Sequence, residues 1–186
     1  TSLFPLGIGA YPELLEAAAE SAAGSFREKG RVDLRHLTTV AIDDARTTEI
    51  NDAFALEGDR IVVFIADASA WIPQGKVLDV EATQRATTVY LPEGKIPMLP
   101  DMLGEQAASL NAGVDRPALA FSFEIDEQGR VRGFEAAEAI CRVDERLTYS
   151  QVDAALDARV TSPHQELLER VNTWMAAHKD RRTQSG

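Results

Sequence analysis

With 186 residues, 45% of them hydrophobic and 26% charged, the chain has the length and composition of one globular domain or a little more, able to bury a core without staples. Its 30 acidic against 19 basic residues give a formal net charge of −11, which argues against a stand-alone nucleic-acid binder, whose phosphate contacts come mainly from Lys and Arg. That balance leaves room for an enzyme that meets RNA through bound cations, a local basic groove or a neighbouring segment, and it equally suits an ordinary acidic cytosolic surface.

The sequence opens at Thr1 rather than Met, as expected of a processed, truncated or excised chain. Residues 1–10 are punctuated by Gly and Pro and are predicted to be irregular. They carry neither the basic region nor the long apolar core of a secretory signal, and no later run is long enough to span a bilayer. Residues 11–26 read as a helix: Pro12 suits its first turn, Glu13 complements the dipole and an Ala-rich stretch follows. A charged connector, R-E-K-G-R at 27–31, leads through residues 32–37 to a strand at 39–42. Residues 60–66, R-I-V-V-F-I-A, form a near-continuous apolar run rich in β-branched side chains and read as a strand buried on both faces. A short helix is expected over 77–85 and a strand over 87–92, stopped by Pro92. The prolines of 96–100 force an extended path, and residues 101–110 carry a helical turn or two.

Residues 118–125 and 131–143 read as two strands joined by the hairpin turn D-E-Q-G at 126–129. Cys141, in the second, reads as a small buried hydrophobe. Being single it forms no internal disulfide, and no Cys/His cluster has zinc spacing, all of which fits a reducing cytosol. Ser150 is predicted to cap a helix over 151–158. S-P-H-Q at 162–165 reads as a capping box opening a last helix with Leu167, Leu168, Val171, Trp174, Met175 and His178 on one face. The tail, 179–186, is basic and polar, a frayed end or a cut linker.

The stretch with the most chemistry is V-A-I-D-D-A-R-T-T-E-I-N-D-A-F at 40–54, where an apolar strand runs into a loop carrying Asp43, Asp44, Glu49, Asn51 and Asp52. Oxygen ligands this dense, just after a strand, suit a hard cation such as Mg²⁺, although a solvated turn is the commoner meaning of an acid-rich loop.

Four segments then resemble the catalytic RNB domain of the ribonuclease II/ribonuclease R family of 3′→5′ exoribonucleases. They are V-D-L-R-H-L at 32–37, the acidic loop, F-I-A-D-A-S at 64–69, and a long run holding T-T-V-Y-L-P, I-P-M-L-P and S-L-N-A-G-V-D-R-P-A-L between residues 87 and 119. R-L-T-Y at 146–149 also fits, so the resemblance covers most of residues 32–180. It implies a mixed α/β (α+β) fold, a twisted, largely antiparallel sheet flanked by helices, with residues 1–31 as an N-terminal helical or linker segment and 32–186 as a partial RNB-like domain lacking its C-terminal half.

The family's site pattern, I-D-x₅-D-x-D-D, falls on Asp43, Glu49, Asn51 and Asp52, so two of its four aspartates are kept, one is lengthened and one is an amide. Asp44-Ala45-Arg46 resembles a family tripeptide at a shifted register, but the ungapped match keeps Asn51-Asp52-Ala53 in place. The resemblance implies that these four residues hold Mg²⁺, with Mn²⁺ as the alternative ion, and catalyse hydrolysis of single-stranded RNA to nucleoside 5′-monophosphates. Asn51 contributes a neutral carbonyl oxygen in place of a charge, and the extra methylene of Glu49 shifts its carboxylate by about an ångström or more, so the site is expected to persist in weakened form. Tyr90 matches the family aromatic that packs on a 3′-terminal base, with a plain strand aromatic as the other reading, and Arg116 reads as a phosphate contact or as an ion-pair partner of Asp115. Trp71 and Phe64 are expected in the core. Expected partners are single-stranded RNA, the remainder of the RNB domain and OB-type modules, with no membrane contact and a cytoplasmic location. A second functional reading also stands: an impaired RNB-like module that binds RNA or a partner as a scaffold, favoured by Glu49 and Asn51.

Overall fold

The computed structural model describes residues 11–24, 26, 28–92 and 94–184; the irregular stretch expected at 1–10 lies outside them. In chain order the elements are α1 (Glu13–Ala22), β1 (Val32–Asp33), β2 (Thr39–Asp43), β3 (Asp52–Glu57), β4 (Arg60–Ala66), α2 (Val77–Arg85), β5 (Val89–Leu91), β6 (Gly94–Ile96), a π-helical turn (Met102–Ala107), β7 (Asp115–Ile125), β8 (Val131–Arg142), β9 (Glu145–Thr148), α3 (Tyr149–Leu156) and α4 (Gln165–Gln184). They form two compact units that interleave along the chain. The larger takes Gly30–Ala66 and the chain from Leu110 onward; the smaller takes the chain before Gly30 and Asp67–Ser109.

The larger unit is built on one mixed sheet in the order β1-β8-β7-β4-β3-β2-β9. Its pairings are antiparallel except at the two ends, where β1 runs parallel to β8 and β9 parallel to β2. The expected largely antiparallel α/β architecture is therefore the observed one. The apolar run at 60–66 becomes β4, paired on both sides and carrying Phe64 and Val62 at 0% and 1% exposure. Alternation along β2 and β3 separates two cores: Ala41, Ala53 and Ala55 join Val62, Phe64 and Cys141 on one face, while Val40, Phe54 and Leu56 meet Leu147, Ala155, Leu167 and Leu168 under α3 and α4 on the other. Phe64 and Cys141 are thus core residues, as expected.

Two expected helix starts shift. Thr148, still extended at the end of β9, caps α3: its hydroxyl accepts from Gln151 N, and the Gln151 side chain accepts from Thr148 N at 2.7 Å. Because the strand runs directly into the helix, the cap lies two residues before Ser150. At α4, Ser162 Oγ accepts from His164 N at 3.1 Å, but the Gln165 amide donates to Ala155 O and Glu169 instead of closing a box. The tail at 179–184 continues α4 as helix.

The β7–β8 turn is closed by the Asp126 carboxylate, which accepts from the N–H groups of Gln128 and Arg130 and from the guanidinium groups of Arg130 and Arg132. Gly129 there has φ +71 and lies against α4, where a Cβ would come 2.3 Å from Ala177 O. His178 Nδ1 donates to Gly129 O at 2.8 Å, which fixes the proton on that nitrogen. Further along, a bulge at Gly133 (φ +53) shifts the β7–β8 register between Phe123 and Glu124. β1 pairs with β8 only at Ala139 and Ile140, so among the described residues no strand covers the outer edge of β8 before them, where Phe134 is 65% exposed.

In the smaller unit α1, α2 and the π-helical turn enclose Leu15, Ala19, Trp71, Leu78, Leu99 and Leu103. Trp71 is a core residue, as expected, and its ring meets Phe26 edge-on at 5.5 Å. Arg85 stacks on Tyr11, donates to Glu81 at 2.8 Å and reaches Pro97 O. β5 and β6 form a separate two-stranded ribbon.

Candidate metal and RNA-binding site

The acidic loop joins two neighbouring strands of the larger unit, so its length is set by the hairpin it closes. Asp43 is the last residue of β2 and Asp52 the first of β3. The strand opened by Asp52 departs from the sequence expectation, which gives Asp52 to the loop and the next strand to residues 60–66. Between the two acids the chain folds on itself. Asp43 Oδ1 accepts from Asp44 N at 2.8 Å and Thr47 Oγ1 at 2.7 Å. Asp44 Oδ1 accepts from Arg46 N, and Asp44 O accepts from Thr47 N and from the Arg146 guanidinium. These are side-chain-to-backbone turns of the kind short polar residues make.

The far side of the loop is tied down by backbone bonds. Ile50, buried, accepts from Leu110 N at 2.9 Å, and Asn51 O accepts from Ala66 N at 2.9 Å. Glu49 is half-buried and Asn51 exposed on this tethered segment.

The structure places Asp43 and Asp52 near enough for their charges to interact. Desolvation raises the Asp52 pKa above the ordinary carboxylate range, and the negative charge of Asp43 raises it further. Two like charges held within reach of one another at strand ends form a place where a cation relieves repulsion. Among the described residues no three His, Cys, Asp or Glu side chains are gathered as a metal cage. The donor set still fits Mg²⁺, which is commonly held by one or two carboxylates with water completing its shell. Asp43 and Asp52 would be those carboxylates, with Glu49 and the Asn51 amide oxygen in the same loop.

The other predicted residues belong to other elements. Tyr90 is on β5 of the smaller unit and is 70% exposed. Arg116 is half-buried on β7; burial lowers its pKa, and it donates to the Asp115 carbonyl at 3.3 Å. The Asp115 carboxylate is held by Arg142 at 2.6 Å and Arg35 at 2.9 Å. The loop-shaping roles of Thr47 and Arg146 are not among the sequence expectations, although Arg146 opens the R-L-T-Y segment of the resemblance; the signal for Thr47 was a hydroxyl four residues after an Asp at a strand end.

Residues 31–186 match the RNB domain. The chain belongs to the RNB-domain family. This RNB chain is 34% identical over 189 residues to ribonuclease R of Vibrio parahaemolyticus, a match covering 95% of the chain and 23% of that protein. It is 37% identical over 165 residues to ribonuclease R of Acidithiobacillus ferrooxidans (82% of the chain, 38% of that protein) and 36% identical over 153 residues to that of Escherichia coli K12 (76% and 19%). The chain therefore spans well under half the length of these relatives. Among solved structures, its fold is that of Mycoplasma genitalium RNase R in complex with double-stranded RNA, with a TM-score of 0.85 at 24% identity over 95% of the chain and 34% of that one. The fold is also shared with yeast Ssd1, a pseudonuclease, with a TM-score of 0.67 at 18% identity over 91% of the chain and 20% of that protein.

Proposed function

We propose that this RNB chain carries the metal-binding acids of a Mg²⁺-dependent 3′→5′ exoribonuclease that releases nucleoside 5′-monophosphates from single-stranded RNA. The observation that carries the reading is the pairing of Asp43 and Asp52 across the β2–β3 connection, at the first and last positions of the family's acidic pattern. Mg²⁺, or Mn²⁺ in its place, would neutralise charge on the scissile phosphate and lower the pKa of an attacking water. The chain's own residues set the geometry. Thr47 and Asp44 N hold Asp43 Oδ1, and Oδ2 would be the oxygen given to a cation. Arg146 fixes the turn through the Asp44 carbonyl, and backbone bonds at Ile50 and Asn51 tether the segment that carries Glu49 and Asn51.

Tyr90 would stack a base near the 3′ end and Arg116 would contact phosphate. In this reading the rest of an RNB domain and OB-type modules supply the basic surface that a chain of net charge −11 does not. A cytoplasmic setting follows from the same reading and suits the single buried thiol.

The test is degradation of 5′-labelled single-stranded RNA with Mg²⁺, with EDTA and with Asp52→Asn. A ladder that needs the metal and vanishes in the variant is the expected result. RNA binding without any ladder would instead favour the second reading, an impaired RNB-like scaffold. Glu49 and Asn51 are the observations behind that alternative, and a fold shared with a pseudonuclease means that the fold by itself does not choose.

A further inference from the structure

In the smaller unit, β5 and β6 form a sheet of their own with three residues on each strand, and a two-stranded ribbon is marginal by itself in water. Val89, Tyr90 and Leu91 of β5 are all exposed, so burial of that strand does little to hold it. Polar ties hold the ribbon instead. At its base, Met98 N donates to Thr88 Oγ1 at 3.0 Å and the Arg85 guanidinium to Pro97 O at 3.1 Å.

Further out, the tie is Lys95. Its Nζ donates to Glu105 Oε1 and stands 3.5 Å from Asp101 Oδ1. Glu105 belongs to the π-helical turn, which is anchored by buried Leu103, Gly104 and Ala107. The Lys95 and Glu105 side chains are only 24% and 25% exposed, so solvent and salt screen this pair less than one on the open surface.

The register gives the pair its meaning. Tyr90 and Lys95 are directly opposed on the antiparallel strands. Opposed residues share one face, with Cβ atoms about 5 Å apart, so the residue that grips the π-helical turn is the cross-strand neighbour of the 70% exposed tyrosine. An ammonium facing two carboxylates carries a negative local balance and is poorly placed to take up a phosphate. It is well placed to fix a strand. A ring held still before it meets a base spares the ordering cost that a mobile ring pays on stacking. We infer that Lys95 is a positioning residue: its ion pair with Glu105 holds the ribbon so that Tyr90 offers its ring to a base of single-stranded RNA. The inference rests on the stacking role proposed for Tyr90 and is independent of the acidic loop.

A single-stranded RNA with 2-aminopurine as its 3′-terminal base tests it, because stacking quenches that fluorophore. The full chain is titrated to saturation in EDTA, which keeps the RNA uncut. The parent chain should quench, and Tyr90→Ala should not. Lys95→Gln should lose most of the quenching and weaken binding about tenfold, within the range a stacked base contributes. Lys95→Arg should keep both, and the charge reversal Lys95→Glu with Glu105→Lys should recover part of what Lys95→Glu alone loses. In a Tyr90→Ala background, Lys95→Gln should change nothing more. Unchanged quenching in Tyr90→Ala would overturn the stacking role and this inference with it. Loss in Tyr90→Ala with unchanged quenching in Lys95→Gln would overturn the inference alone. So would no recovery in the charge reversal, or an undiminished effect of Lys95→Gln without Tyr90, which would make Lys95 a phosphate contact.

Discussion

Asn51 is the residue on which the chemistry of the loop turns. It stands next to Asp52 with its backbone oxygen already committed to Ala66, so a change of its side chain leaves the tether in place. Asn51→Asp adds a carboxylate beside two that already repel, which disfavours the metal-free loop and favours the metal-bound one. Its expected outcome is tighter Mg²⁺ binding by calorimetry and, if the chain cuts RNA, a faster ladder; no gain in either would show that the amide does not limit the site. Cys141 makes a simpler prediction. Burial pushes its thiol up to about 12, so almost no thiolate exists at pH 8. A thiol reagent should leave the native chain untouched at that pH and titrate one group after unfolding; fast native labelling would contradict the burial. At this scale the sequence was legible where chemistry sits in a motif, as at Asp43 and Asp52. The role of Arg146 was not legible, because its partner Asp44 lies about a hundred residues away in the chain, whereas the bond of Thr47 to Asp43 four residues before it left a weak local signal.

Among the elements, the β7–β8 turn is the most dependent on one charge. Four donors converge on the Asp126 carboxylate and hold its pKa well below the usual carboxylate range. An acid more acidic when folded than when unfolded adds stability above the ordinary carboxylate range and loses it as pH falls through the folded value. Amide protection at Gln128 and Arg130 should therefore drop in strongly acidic solution, and Asp126→Asn should show that low protection already at neutral pH; a pH-independent profile in the parent chain would sink this. The turn itself was readable from D-E-Q-G, as β4 was from its apolar run. β3 was not, since D-A-F-A-L-E opens on an acid and buries two alanines, a weak pattern beside the acidic loop. The end of α4 was missed because K-D-R-R-T-Q has no apolar period, although most of its residues tolerate a helix well.

For the whole molecule, the interleaving of two units lay beyond the sequence reading because nothing in composition marks residues 29, 66 or 109 as crossings. The charge was legible and has a consequence at this scale. A chain at −11 should hold single-stranded RNA far more weakly in EDTA than in Mg²⁺ at equal ionic strength, as read by fluorescence anisotropy; equal affinity in both would mean that its cations are not metal ions.

The Gly133 bulge bears on how the chain lives beside its own copies. Among the described residues Val131–Arg142 is the longest strand, with Phe134 exposed and its outer edge largely unpaired, which is the profile of a template for cross-β growth. The bulge bends that template, and Arg132 and Glu135 flank it with charge of both signs. Deleting Gly133 would straighten the edge, and thioflavin fluorescence rising with concentration in the deletion but not in the parent is the outcome expected. The kink in the strand would then act as a gatekeeper of solubility, guarding the chain against fibrils instead of serving its chemistry.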